Sequence, residues 1–346
     1  MRNEEGNVAL QLTAGDVNGE LHWYPEGRGK LVARLQNLTL KERKRARARI
    51  AAQAAAHIQN NSDADFDEDS ETERATATAL PALDLVVDNL VWKGLAFGKV
   101  EMRAEPEPDG GWKLHNLSMR NPDGTLTVEG TYNADEFSPR TDVSIKLEFP
   151  NAGKALARFG YPDTVKNGSG TLVGGLWWAG ALDEFSYAGL NGWFNLNMGK
   201  GQFLKVDPGI GRLIGILSLQ ALPSRIALDF TDVFSDGLAF DNITGTVQMK
   251  QGVMETNDFL IGGVSAKVAM QGQVDLQHET QNLHVRVMPV MGSSVSLLSA
   301  FAAGPIIGGG IFLASKILND PLDKLVSFEY DITGTWTDPT VTKKGR

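Results

Sequence analysis

The sequence predicts a mainly β protein, built as a long, curled antiparallel sheet with a few short helices packed on it. Three observations predict this. Runs of about eight to twelve residues, rich in β-branched, leucine and aromatic side chains, recur along the chain between turn-forming Gly, Asn, Asp and Pro. In the clearest run, from Thr141 to Phe149, apolar and polar residues alternate, which gives a strand one dry and one wet face. The 38 glycines suit many tight turns, and the runs follow one another directly, so a meander is predicted rather than βαβ units.

Taken in order, the first segment, 1–40, holds three strands: VALQLTA, GELHWYP and GKLVARLQNLTL, divided by Gly-rich turns. Composition then changes abruptly over 41–80. Lys41 to Gln59 is a run of strong helix formers with a basic first half, and Asn60 to Thr78 is acidic, polar and nearly without large apolar residues. That second tract has too little to bury to order itself, so 41–80 is predicted to be a solvated helix plus a disordered linker. The third segment, 81–346, resumes the β pattern with LDLVVDNLVW, LAFGKVEMRAE, GWKLHNLSMR, GTLTVEGTY and TDVSIKLEF. A short helix is predicted at 150–160, capped by Asn151 and stopped near Gly160 and Pro162. Next come GTLVGGLWWAG, FSYAGLNGWFNLNM and GQFLKV, all read as strand.

A second helix is predicted at 207–222. Asp207 caps it, Pro208 occupies its first position, Pro223 stops it, and Ile210, Leu213, Ile214 and Leu217 share one face. The meander then continues through GLAFDNITGTVQMK, GVMETNDFLI, VSAKVAMQGQVDLQ and NLHVRVMPV. From Met288 to Ser315 no residue is charged, and glycines with Pro305 interrupt the run. This predicts an apolar helical hairpin within 294–318, either plugging the sheet end or contacting a membrane through residues 290–318. VSFEYDITGTW is read as the final strand.

The stretch from Val206 to Gly245 also carries a resemblance. Asp207-Pro208-Gly209, Ser218-Leu219-Gln220-Ala221-Leu222-Pro223, Leu228-Asp229-Phe230, Asp232-Val233-Phe234 and Phe240-Asp241 closely resemble the C-terminal region of the AsmA-like proteins of Gram-negative bacteria, in particular the YhdP branch. Ser224 before Arg225, and Val264-Ser265 after Gly262-Gly263, depart from that pattern. The resemblance implies a β-groove protein of the periplasm, part of an inner-membrane-anchored chain that helps move phospholipid toward the outer membrane. It also implies that the remainder of a longer AsmA-like protein lies upstream. Consistent with that expectation, no signal peptide is visible and strand-like sequence starts almost at once.

Composition limits the chemistry. A net charge of −9 argues against nucleic-acid binding, and the absence of cysteine removes thiol nucleophiles and zinc ribbons. Gly209-Ile-Gly211-Arg-Leu-Ile-Gly215 resembles a dinucleotide loop, but its third glycine is one position late and no βαβ unit follows, so no cofactor is predicted. The five histidines form no H-x-x-x-H pair, Ser169 lacks an elbow motif, and no catalytic or metal-binding residue is predicted. Trp177, Trp178 and Trp193 are read as core.

What remains is a non-catalytic reading. One continuous apolar sheet face shelters phospholipid acyl chains, with Val143, Ile145 and Leu147, Val264, Val268 and Met270, and Leu283, Val285 and Val287 as candidate lining residues. Ser144, Lys146 and Glu148 are expected to face water. The alternatives are a structural β-domain that braces an envelope assembly, and an outer-membrane barrel whose alternation faces lipid outward.

Overall fold

The computed structural model describes residues 7–40, 80–135, 137–204, 238–264, 266–289 and 327–344. The expected 41–80 helix and linker, the 207–222 helix and the 290–318 apolar segment lie outside them. The described residues form a single open sheet of 17 strands. Its first half is β1 (Val8–Ala14), β2 (Val17–Tyr24), β3 (Lys30–Leu40), β4 (Ala82–Trp92), β5 (Leu95–Pro106), β6 (Trp112–Asn121), β7 (Gly124–Asn133) and β8 (Arg140–Phe149), each paired with the next.

The second half is β9 (Val165–Asn167), β10 (Gly170–Ala179), β11 (Asn191–Phe203), β12 (Leu238–Lys250), β13 (Val253–Gly262), β14 (Ala266–Asp275), β15 (Thr280–Pro289), β16 (Phe328–Thr335) and β17 (Pro339–Lys343). β10 joins the halves by pairing with both β8 and β11, and β11 to β17 then pair in chain order. β9 and β10 lie end to end against β11, broken at Asn167 and Gly168, whose φ values are 62° and 78°. That pair of left-handed residues is the turn expected from Asn-Gly.

The structure corrects the reading of several elements. β3 and β4 pair in parallel, register Lys30 with Ala82 through Leu40 with Trp92, so the sheet is not wholly antiparallel. Alternation along a strand is the same for either direction, so the sequence pattern carries no sign of this. Residues 185–190 are not strand: two 3₁₀ turns, Leu182–Glu184 and Tyr187–Gly189, precede β11. The run GQFLKV is no separate strand, because β11 continues through Phe203. β9 and β17 were too short to stand out as runs.

The predicted helix at 150–160 is present as α1 (Ala152–Arg158). The Asn151 side chain accepts from the Lys154 N–H at 3.0 Å, a standard N-cap contact. Ala152 and Ala155 are buried in the core, and Arg158 pairs with Asp123 at the β6–β7 turn while donating to the Ala96 carbonyl at 2.8 Å. Gly153 lets the helix approach β9: a Cβ there would collide with the Val165 backbone.

Candidate functional site

Pairing register decides which residues share a face, because Cα partners on adjacent strands point the same way. Leu147 on β8 lies opposite Leu126 on β7 and Leu172 on β10. From Leu126 the row passes to Met119, Val100 and Val87. It crosses the parallel pair to Leu35 and ends through Gly19 at Leu12. In the other direction Leu172 leads to Leu196 and Gly245. The β12–β13 register is irregular there, and the Phe259 ring sits over Gly245. Phe259 then leads to Met270, Val285 and Tyr330. The row thus crosses from β1 to β16 without a charged side chain.

Two apolar clusters flank the middle of this face. One centres on Ala33, Leu35, Val87 and Val100, and the other runs from Phe149 through β17. Between them Leu126, Val128 and Ile145 are only half-buried. From β3 to β10 the opposite face is ionic, whereas at β13 to β15 it carries the small buried apolar cluster Leu260, Ala269 and Met288. Lys99–Glu101 (2.6 Å), Arg103–Glu105 (2.8 Å), Arg140–Asp142 (2.6 Å) and Lys146–Glu148 (2.9 Å) each join residues two apart on one strand. Arg34 on β3 reaches Asp84 on β4 at 2.7 Å. The hydrogen bond from Lys99 holds the Glu101 carboxyl below the usual carboxylate range. Such exposed pairs add little stability, but they mark this face as wet.

Against this map, Val143, Ile145 and Leu147 lie half-buried on the apolar face, while Ser144, Lys146 and Glu148 are exposed on the other. Val268, Met270, Leu283, Val285 and Val287 share the apolar face but are at most 2% exposed, as parts of a filled core. Val264 is a correction. It is 66% exposed and lies between β13 and β14, which are closed by the Gly263 N–H donating to the Ala266 carbonyl at 3.0 Å. The apolar period of Ala266, Val268 and Met270 continues in the letters back to Val264, but the turn ends the strand at Ala266. Sequence reasoning missed the N-terminal half of the row, Leu12 to Met119. Its members alternate visibly, but linking them needed the parallel β3–β4 register.

The tryptophans divide. Trp178 is buried on the apolar face, with its Nε1–H donating to the Ala181 carbonyl at 2.8 Å. Trp177 and Trp193 stand on the ionic face, and Trp193 is 42% exposed. Among the described residues no group of carboxylates and imidazoles is placed to hold a metal ion, and no helix is long and apolar enough to cross a membrane.

A family model described as YhdP protein matches the chain along nearly its whole length, residues 1–341. A curated relative, the intermembrane phospholipid transporter YhdP of Escherichia coli (strain K12), is 33% identical over 217 residues, 62% of this chain and 17% of the relative. The chain therefore spans well under a quarter of that relative's length. No solved structure matches.

Proposed function

The chain belongs to the YhdP family, and from that premise we propose that its apolar face binds phospholipid acyl chains as one stretch of a non-catalytic conduit between two membranes. It works in the periplasm, joined to the upstream remainder of a longer, inner-membrane-anchored protein. The observation that carries this reading is the uncharged row from Leu12 to Tyr330. Exposing a sixteen-carbon chain to water costs roughly 12 kcal/mol at about 0.8 kcal/mol per methylene, so a path for lipid must stay apolar along its whole length. With strands about 4.8 Å apart, the row measures on the order of 70 Å along the curled sheet. That is too short to cross a periplasm alone and suits one segment of a longer path.

The half-buried stretch around Ile145 is where an acyl chain meets the wall without displacing packed core. A photo-crosslinking residue at Ile145 captures phospholipid, and one at Lys146, on the ionic face, does not. Ile145→Asp places an unpaired charge in the path, and mass spectrometry of organic extracts then shows a sharp loss of co-purified phospholipid from a folded protein. Equal capture at both positions, or undiminished lipid in Ile145→Asp, overturns the proposal and leaves the bracing domain as the better account.

A further inference from the structure

The ionic face carries a cavity of about 1370 Å³ that the lipid reading does not use. It spans β6 to β13, and Ala188 and Gly189 of the β10–β11 connection form part of its lining. Trp177 and Trp193 sit on adjacent strands, two register positions apart, as diagonal neighbours within reach of one ligand. The Trp193 indole folds down over Gly175, whose missing Cβ would stand 3.0 Å from Nε1. Lying along the wet face of the sheet, that indole keeps 42% of its surface exposed. Trp177 is fixed differently. The Arg140 guanidinium stacks 4.2 Å from its ring centroid and is itself held by Asp142 through two hydrogen bonds of 2.8 and 2.6 Å.

The remaining lining selects the ligand's chemistry. Lys113, Arg140 and Lys250 are balanced by Glu129, Asp142 and Glu255, so the site has no net field to draw a phosphate or a nucleic acid. Charged walls exclude acyl chains. The volume exceeds the roughly 300–1,000 Å³ of small-molecule pockets and suits a segment of an extended chain. Indole faces take up the C–H faces of sugar rings. Neighbouring carboxylates accept from hydroxyl and amide N–H groups, and cations donate to their oxygens.

We propose that this cavity binds an uncharged glycan chain of acetamido sugars, with Trp193 as its stacking platform, Gly175 as the floor that lays Trp193 flat, and Trp177, already stacked by Arg140, as a fixed flanking wall. The two indoles stand on the face opposite the proposed lipid path, with only Val143 of the candidate groove residues also in the cavity lining, and the proposal does not depend on what the apolar face carries. The test is calorimetric titration of the full chain with the N-acetylglucosamine tetramer, with inorganic phosphate as comparator. Saturable binding to the tetramer is expected. Trp193→Ala should weaken it about tenfold and Trp193→Phe less. Gly175→Ala, which lifts the indole, should also weaken it, and Ile145→Asp on the opposite face should leave it unchanged. Far-ultraviolet circular dichroism confirms that each variant is folded. Absence of saturable binding, an unchanged affinity in folded Trp193→Ala, or competition by phosphate overturns the proposal.

Discussion

The parallel β3–β4 pair sets a minimum length for the connection between them. β3 is 11 residues long, so Leu40 and Ala82 lie at opposite ends of the pair, about 33 Å apart at about 3.3 Å per residue. A fully extended chain reaches at most about 3.3–3.6 Å per residue, so roughly ten residues are needed. Deleting Asn60 to Thr78 leaves about twenty, roughly twice that minimum. Loop-closure entropy changes by only about 0.5 kcal/mol, and in the stabilising direction. The melting temperature should therefore move by about 2 °C or less. Extending the deletion to leave about five residues limits the reach to about 18 Å, and the parallel register can no longer form. The chain has no cysteine, so a single introduced pair reports on the register. Arg34→Cys and Val86→Cys, which are Cα partners, should form a disulfide in the full chain and in the shorter deletion, but not in the longer one. A disulfide in the longer deletion, or a fall of many degrees in the shorter one, would refute the reasoning.

Two further outcomes follow from the burial and electrostatics of the second half. Val285 is 0% exposed, so Val285→Asp should cost several kcal/mol and abolish the cooperative melt of that region, whereas Ile145→Asp should leave a folded protein; equal melting of the two variants would contradict the division into filled and open stretches. At Asp331, burial pushes the carboxyl up, but hydrogen bonds from His284 and Lys344 outweigh it and the value is lowered from 3.8. A lowered folded value stabilises above the unfolded one and is lost as pH falls through the folded value. Asp331→Asn should thus flatten the loss of melting temperature below about pH 4 and lower it slightly at pH 7; parallel pH profiles for the two proteins would count against this.

Most strands were legible because each carries its own evidence. The clean alternation of Thr141 to Phe149 located β8 and assigned both of its faces, and Asn151 with Gly160 bracketed α1. What was not legible depends on partners far away in sequence. Nothing within Lys30–Leu40 or Ala82–Trp92 says that they run parallel. Nothing in NGWFNLNM separates Trp193 from a core tryptophan, because its exposure follows from a register that places it beside Gly175. Val264 misled for a local reason: Val264, Ala266, Val268 and Met270 keep one period through a turn that the backbone does not respect. The sequence pattern also could not grade the apolar face, since Ile145 and Val285 look alike as letters and differ only in what their neighbours cover.

If the row across the sheet carries lipid as proposed, it behaves as links in series. A catalytic centre concentrates its vulnerability in a few side chains, and changes elsewhere are forgiven. A path of one-residue steps has no such centre: a charge at Leu12, Leu126 or Ile145, all half-buried, would interrupt it equally, although these positions lie far apart in the chain. Loss-of-function substitutions in such a protein should therefore scatter along its length and share a chemistry rather than a location. Exchanges among Leu, Val, Ile and Met should pass unnoticed at the half-buried positions, where no packed core has to readjust.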